Sequence, residues 1–444
     1  MDICKNWENM KKNMYQNGIY RKEEIMKIQE YIQDLIAGKS QLKNENQSVE
    51  KMKIVMEKLE NPQNKLKYIH VTGTNGKGSV IEMLNNILIN ANLKVGKFIS
   101  PHLVSYHERI SINGEYIKDE KIQEIFQKVQ PIIEKENIEL NFFEFFTLIA
   151  ILYFCKQKVD IVLMEVGFGG LYDSTNIINP MISVISSIGY DHMKVLGNTL
   201  EEIAKQKAGI IKEDSETVYM EQEPNIDDII EKTCKEKQNI LHMVKQSEIK
   251  NQRFENDREI FDYKQYHNIE VNLKGKRQIQ NAALVLECCD ILDKKGYFLS
   301  EEVIRNGLKT VIHKGRFEVM HQNPTIIFDG GHNEQAIENL KETIDLCYKN
   351  AKKIYVISVL KSKDYHKIIE DILDKENVYI FTNGNDKNLF TDKYLMYEYA
   401  KQRNDKAEIY EMELEKAIQF CKEKTECVSF VIGSFYIYND VKNI

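Results

Sequence analysis

A lysine set among glycines is the first feature able to do chemistry. Tyr68-Ile-His-Val-Thr72 is a short β-rich run. It breaks into Gly73-Thr74-Asn75-Gly76-Lys77-Gly78-Ser79, and apolar residues then recur at helical spacing, at Val80, Leu84, Ile87 and Leu88. Strand, glycine loop and helix in that order make a phosphate cradle. The glycines let successive backbone N–H groups turn inward without a Cβ in the way, and the helix adds its partly positive N-terminus. Lys77 can reach the β- and γ-phosphates, and the Ser79 hydroxyl can sit on Mg²⁺. The loop departs from the general phosphate-loop pattern at two places. Val71 stands where that pattern has its first glycine, and Gly78 stands directly after the lysine.

Three further strand ends offer ligating groups: Ser100-Pro-His-Leu103, Glu165-Val-Gly-Phe-Gly-Gly170 and Asp191-His192. Mg²⁺ takes a few carboxylate or hydroxyl oxygens together with phosphate oxygens and water. Glu165 is the best carboxylate for it; His192 is an unusual Mg²⁺ ligand on chemical grounds alone. Lys207 lies late on a helical segment, where a solvated lysine is the ordinary outcome. Further along, Arg316 in Gly315-Arg-Phe-Glu318 can swing onto a γ-phosphate and stabilise the charge that develops there. Asp329 and His332, in Asp329-Gly-Gly-His-Asn333, could hold a ribose or base. The stretch 101–117, with Tyr106, His107, Glu108 and Arg109, reads as a loop beside the site, a lid or substrate clamp.

The elements that must position these groups alternate. Strand candidates at Tyr68–Thr72, Val95–Ser100, Asp160–Val166, Ile182–Ser187 and Thr217–Glu221 are separated by helical patterns at Val80–Ala91, Phe143–Phe154 and Leu200–Ile211. Such alternation predicts a mainly parallel sheet covered by helices, with ligands at the carboxyl ends of its strands. Residues 1–65 read as helices, including one capped by Ser48 and ended by Pro62; Trp7 gains no role. The charged stretch 223–275 holds short alternating runs such as Ile269–Leu273, and Gly275–Asp290 then looks helical. Ser300 caps a predicted helix through Val303, Leu308 and Ile312. A second series, Thr325–Phe328, Ile354–Leu360, Val378–Thr382 and Val428–Ile432, predicts a smaller Rossmann-like domain. The expected division is 1–313 and 314–444.

At 444 residues the chain is too long for one ordinary core. A net charge of −7 argues against a nucleic-acid binder. The eight cysteines form no Cys-x-x-Cys pair, so reduced, mostly buried thiols in a cytoplasmic protein are expected. No apolar run approaches the roughly 20 residues of a membrane helix, and the N-terminus carries no signal-peptide pattern.

The loop His70-Val-Thr-Gly-Thr-Asn-Gly-Lys-Gly-Ser79, with the later motifs in the same order, resembles the folylpolyglutamate synthase and dihydrofolate synthase family of the Mur ligase superfamily. The resemblance spans roughly residues 65–440. It implies ATP bound by residues 73–79 (Gly73, Thr74, Asn75, Gly76, Lys77, Gly78 and Ser79) with Arg316, Asp329 and His332, and Asn281 beside the base. It implies up to two magnesium ions held at Ser79, Ser100, Glu165 and His192, and carbamylation of Lys207. It also implies pterin contacts from the 101–117 loop and from Phe142–Thr147. Catalytic roles fall on Lys77, Glu165, His192, Lys207 and Arg316. The chain departs from the family at Leu171, Met193, Arg277 and Asp386-Lys387-Asn388, none of them a phosphate or metal position.

The expected activity is an ATP-dependent amide ligase. It would join L-glutamate to a reduced folate, to dihydropteroate or to both, through an acyl phosphate, as a monomer with no nucleic-acid or membrane partner. A cell-wall UDP-muramoyl amino-acid ligase and a non-catalytic nucleotide-binding module stand as alternatives. The 65 residues before the loop leave little room for the extra N-terminal UDP-binding domain of the former.

Overall fold

The computed structural model describes residues 28–38, 48–386 and 388–444. The predicted helices within 1–27 and 39–47, and with them Cys4 and Trp7, lie outside these residues, as does Lys387. Among the described residues two α-helices, Ile28–Ile36 and Ser48–Lys58, and a short 3-10 helix, Pro62–Lys65, precede the first strand. Ser48 is the first residue of the second of them, and its hydroxyl donates to Glu144 Oε1 at 2.5 Å, a different use from the predicted cap.

The first sheet contains β1 (Tyr68–Thr72), β2 (Val95–Phe98), β3 (Ile110–Ile112), β4 (Glu115–Tyr116), β5 (Ile161–Glu165), β6 (Ile182–Ile185), β7 (Glu216–Met220) and β8 (Ile240–Val244). Their spatial order is β4-β3-β2-β5-β1-β6-β7-β8. All pairs from β2 to β8 are parallel, with Ile69 opposite Leu163 on one side and Ile182 on the other. β3 and β4 add an antiparallel edge. β1 is buried along its whole length, as a strand covered on both faces must be. One face packs on the helices Lys77–Asn90 and Lys276–Lys294 through Leu84, Ile87, Ala282 and Leu286. The other packs on the helix Phe142–Gln157 through Phe145 and Ile149. That helix opens with a capping box between Asn141 and Glu144, and Leu200–Ala208 with one between Thr199 and Glu202.

The chain leaves β1 toward β2 on one side and returns to β6 on the other. That switch opens a crevice at the carboxyl end of β1, where the glycine loop lies. β8 was not foreseen. The alternating run at 269 belongs to an antiparallel sheet of β9 (Ile249–Glu255), β10 (Arg258–Tyr263) and β11 (Tyr266–Val271). Ser300 does cap a helix, accepting from Val303 N, but the helix ends at Thr310, so Ile312 lies beyond it.

The second α/β series forms a separate sheet of β12 (Glu318–Gln322), β13 (Thr325–Asp329), β14 (Lys352–Ile357), β15 (Val378–Phe381), β16 (Glu408–Glu411) and β17 (Cys427–Ile432), in the order β12-β13-β17-β14-β15-β16. It is parallel except for the β12–β13 pair. β12 and β16 are additions to the expected set. Leu360 is no strand residue and makes only an isolated bridge to Phe390. Among the described residues no helix is long and apolar enough to cross a membrane.

Candidate active site

The glycine loop is shaped by what lies against it. A Cβ on Gly73 would stand 2.0 Å from Ser186 Oγ, and one on Gly76, whose φ is +90°, would stand 2.5 Å from Asn281 Oδ1. Thr74 N donates to Ser187 O at 2.7 Å and Asn75 N to Ser187 Oγ at 3.0 Å, so the extension of β6 clamps the first half of the loop. The second half runs into the helix Lys77–Asn90, whose N-cap, Gly76, supplies no side-chain cap. Its first N–H groups are left for an anion. The Lys77 ammonium donates to Gly73 O at 2.8 Å, and burial lowers its pKa.

This loop walls a cavity of about 420 Å³ that also takes in Ser100, Glu165, His192, Lys207, Arg316 and His332. The residues expected to do phosphate and metal chemistry are therefore brought to one place. Glu165, at the end of β5, is buried and accepts from Ser100 N at 2.9 Å. Burial lifts its carboxyl to about 7, against the pull of Lys77, the Ser100 N–H and Arg316. Lys207 is buried, and burial, helped by nearby Lys77, lowers its ammonium to about 7. Among the described residues its side-chain amine makes no hydrogen bond or ion pair. His192 sits at the mouth with φ +50° and its ring stacked 5.7 Å from that of Phe168.

Asp191, next to it, is gripped by Lys363 at 2.5 Å. Burial pushes Asp191 up, but Lys363 and His192 outweigh it and hold the carboxyl well below the usual carboxylate range. No three His, Cys, Asp or Glu side chains among the described residues form a metal site by themselves. A cation here needs the Ser79 hydroxyl and phosphate oxygens beside Glu165, which suits Mg²⁺. A buried carboxylate displaced toward its neutral form is what such a cation would relieve.

The second sheet supplies the opposite wall. Arg316 lies over the Phe435 ring at 4.5 Å and 3.5 Å from Asp329 Oδ1. Asp329 accepts from Phe317 N and Gly331 N, at 2.9 and 2.7 Å, so it holds the loop that carries the arginine. His332 Nδ1 lies 2.9 Å from Gly330 O, and burial lowers its imidazole to about 4. Asn281, with Gly76, Ser79, Arg316 and Asp329, lines a small cleft of about 80 Å³ running off the phosphate cavity.

Side chains that sequence reading gave no role also meet here. His313 Nδ1 lies 3.2 Å from Ser79 Oγ. Asn75 Nδ2 donates to Gln335 Oε1 at 2.9 Å, a direct bond between the glycine loop and the second sheet's side of the cleft. Only His313, at the predicted domain junction, carried a signal that could have been followed.

A second cavity of about 860 Å³ opens beside the first and shares Ser100, Phe168, His192, His332 and Phe435 with it. Its walls include Arg109, Phe142, Phe143, Tyr172, Asp173, Lys363 and Tyr436. Asp173 accepts from Gly167 N and Phe168 N and from Thr175 Oγ1, and so ties down the loop after Glu165.

A nucleotide-type loop on one sheet, an arginine on another and a cleft between them define the class. Family models agree: the Mur ligase middle domain matches residues 71–289, and the Mur ligase glutamate ligase domain matches residues 315–433. The dihydrofolate synthase/folylpolyglutamate synthase of Bacillus subtilis is 34% identical over 409 residues, 88% of this chain and 93% of that one. The folylpolyglutamate synthase structure from Thermotoga maritima superposes with a TM-score of 0.78 at 30% identity, covering 89% of this chain and 92% of the other. Escherichia coli FolC in complex with DHPP and ADP superposes with a TM-score of 0.82 at 26% identity, covering 94% and 97%. The chain belongs to the dihydrofolate synthase/folylpolyglutamate synthase family of Mur ligases, which sets aside the cell-wall ligase alternative.

Proposed function

We propose that this protein is an ATP-dependent ligase that joins L-glutamate to a folate, to dihydropteroate or to both, through an acyl phosphate. The observation that carries this reading is the continuity of the two cavities. One is built for a triphosphate, and the other, with Phe142, Phe143 and Tyr172 on its wall, suits a flat heteroaromatic acceptor. The acceptor carboxylate would lie where they meet, near Ser100 and His332.

Residues 73–79 bind the phosphates, and Asn281, Asp329 and His332 flank the nucleoside. Lys77 and Arg316 stabilise the charge on the moving phosphoryl group. Ser79, Ser100, Glu165 and His192 are the candidate holders of one or two magnesium ions, which would polarise the phosphoryl oxygens. A carboxylate leaves poorly, so its phosphorylation makes it an acylating group; the glutamate amine then attacks and phosphate departs. Lys207, with its amine near neutrality at physiological pH, is in the state that CO₂ needs to form a carbamate. The division at 313/314 puts Arg316 on a body that closes over the nucleotide and keeps water from the acyl phosphate. A cytoplasmic monomer with small-molecule substrates completes the reading.

The test is a product assay by mass spectrometry with ATP, Mg²⁺, glutamate and either tetrahydrofolate or dihydropteroate. Glutamylated acceptor with matching ADP supports the reading and decides between acceptors. No ADP release dependent on both glutamate and a pterin overturns it.

A further inference from the structure

His313 stands between the helix Glu301–Thr310, which joins the first sheet's core through Ile304 and Leu308, and β12 of the second sheet. Its carbonyl accepts from Arg316 N at 3.2 Å. Gly315, whose φ is +73°, donates its N–H to Glu318 Oε2 at 2.6 Å, and its carbonyl accepts from Gly330 N at 2.9 Å. The turn that carries Arg316 is thus tied down on the second sheet's side, and His313 is anchored to it. Its side chain points back to the glycine loop. Nδ1 lies 3.2 Å from Ser79 Oγ, and the ring lines the phosphate cavity. A Cβ on Gly78 would stand 3.0 Å from His313 Cε1 and 3.1 Å from Nε2, so a side chain there would crowd the imidazole.

A serine hydroxyl that lends its oxygen to a cation still has a hydrogen to place, and the group that takes it orients the ligand. Among the described residues Ser79 Oγ bonds to nothing but His313 Nδ1. We propose that His313 is a positioning residue for the metal: it accepts the hydrogen of the Ser79 hydroxyl and so turns that oxygen's lone pairs toward a divalent cation beside the phosphates. The inference rests on the metal reading of Ser79 above. It requires an imidazole with Nδ1 bare and the hydrogen on Nε2. It also ties the cation to the opposite wall of the cleft. One residue sets the Ser79 hydroxyl with its ring and the turn of Arg316 with its carbonyl, so the metal's ligand and the arginine are held in register with each other.

Calorimetry on the full chain tests it, with a non-hydrolysable ATP analogue titrated in the presence and absence of Mg²⁺. His313→Phe keeps a ring beside Gly78 but offers no acceptor; His313→Asn offers an amide oxygen near the place of Nδ1. The phenylalanine variant should lose roughly 10-fold of the affinity measured with Mg²⁺ and none of that measured without it. The asparagine variant should recover most of the loss. In a Ser79→Ala background, His313→Phe should have no further effect, because the hydroxyl it acts through is gone. If His313→Phe does not fold, as melting without nucleotide will show, His313→Leu carries the same comparison. An equal loss with and without Mg²⁺, no loss, an asparagine variant no better than the phenylalanine one, or a further loss in the Ser79→Ala background overturns the inference and leaves the ligase reading intact. A wild-type chain whose affinity for the analogue does not rise with Mg²⁺ removes the inference together with the metal reading of Ser79.

Discussion

The two cavities that meet at Ser100 and His332 are built in opposite ways. The phosphate side is organised around seven consecutive residues, with backbone N–H groups among its donors and glycines where neighbouring atoms leave no room for a Cβ. Its ionisable groups Glu165, Lys77 and Lys207 are all displaced toward neutrality, with burial the largest cause in each. The proposed acceptor side draws side chains from separate loops and a helix start, offers aromatic faces, and holds a buried arginine, Arg109, that no carboxylate among the described residues pairs with. Binding a phosphate needs little more than backbone direction, so a short contiguous motif is enough. Reading an acceptor needs side chains, and a fold can bring those from anywhere.

If that contrast holds, changes on the phosphate side should lower turnover with every acceptor, while changes on the acceptor side should act on one substrate's KM. The sharpest break is Lys77→Ala. It should lower kcat by on the order of 10³-fold with either acceptor, because it removes one of the two cations, Lys77 and Arg316, assigned to the moving phosphoryl group. Stopped ADP release measured with each acceptor checks this, and an acceptor-dependent loss would erase the distinction between the cavities.

Next in size, Glu165→Ala should cost about 100-fold and shift the Mg²⁺ concentration giving half-maximal rate upward. Ser100→Ala should cost less, since its backbone N–H, which survives the change, is what Glu165 accepts from. Equal losses, or an unmoved Mg²⁺ titration for the glutamate variant, would remove Glu165 from the metal's surroundings.

The same asymmetry explains what the sequence disclosed. The loop, the strand ends at Glu165 and Asp329, and the parallel sheet were readable because each leaves a local pattern: glycines at fixed offsets, or apolar runs between polar breaks. β8 was hidden because Ile240 is exposed and His242 interrupts the run; β16, as Glu408-Ile-Tyr-Glu411, buries a single residue. Ile312 fitted the helical period but the chain turns extended at Val311, so tertiary packing overrode the pattern. Lys363 and Gln335 left no trace, and His313 showed only its place at the expected domain junction. Their partners Asp191, Asn75 and Ser79 are 172, 260 and 234 residues away, and no local spacing encodes such a meeting.

A smaller effect is expected where the two sheets touch. Lys363→Ala leaves Asp191 buried without its cation, and both side chains are only 13% exposed. Losing one partner of such a pair should cost a few kcal/mol at most and roughly tenfold in rate, through loss of the cross-cleft contact. Asp191→Asn with Lys363→Ala should restore most of the stability, as read by thermal melting. A double variant no more stable than the single would place the effect elsewhere than in this pair.

The finest test concerns a buried amine and stability alone. Lys207 titrates at about 7 in the folded protein, against 10.5 for a free lysine, because burial disfavours its charge. Between those two values the unfolded chain holds a proton that the folded one has released, so stability rises with pH across that window; below it the full penalty of a buried ammonium is present. Lys207→Met has no such group. In CO₂-free buffer it should therefore melt higher than the wild type at pH 6, with the gap closing steadily as pH rises toward 10. A gap that stays constant over that range would mean the amine is solvated. The phosphate side would then lose one of the groups, beside Glu165 and Lys77, that burial displaces toward neutrality.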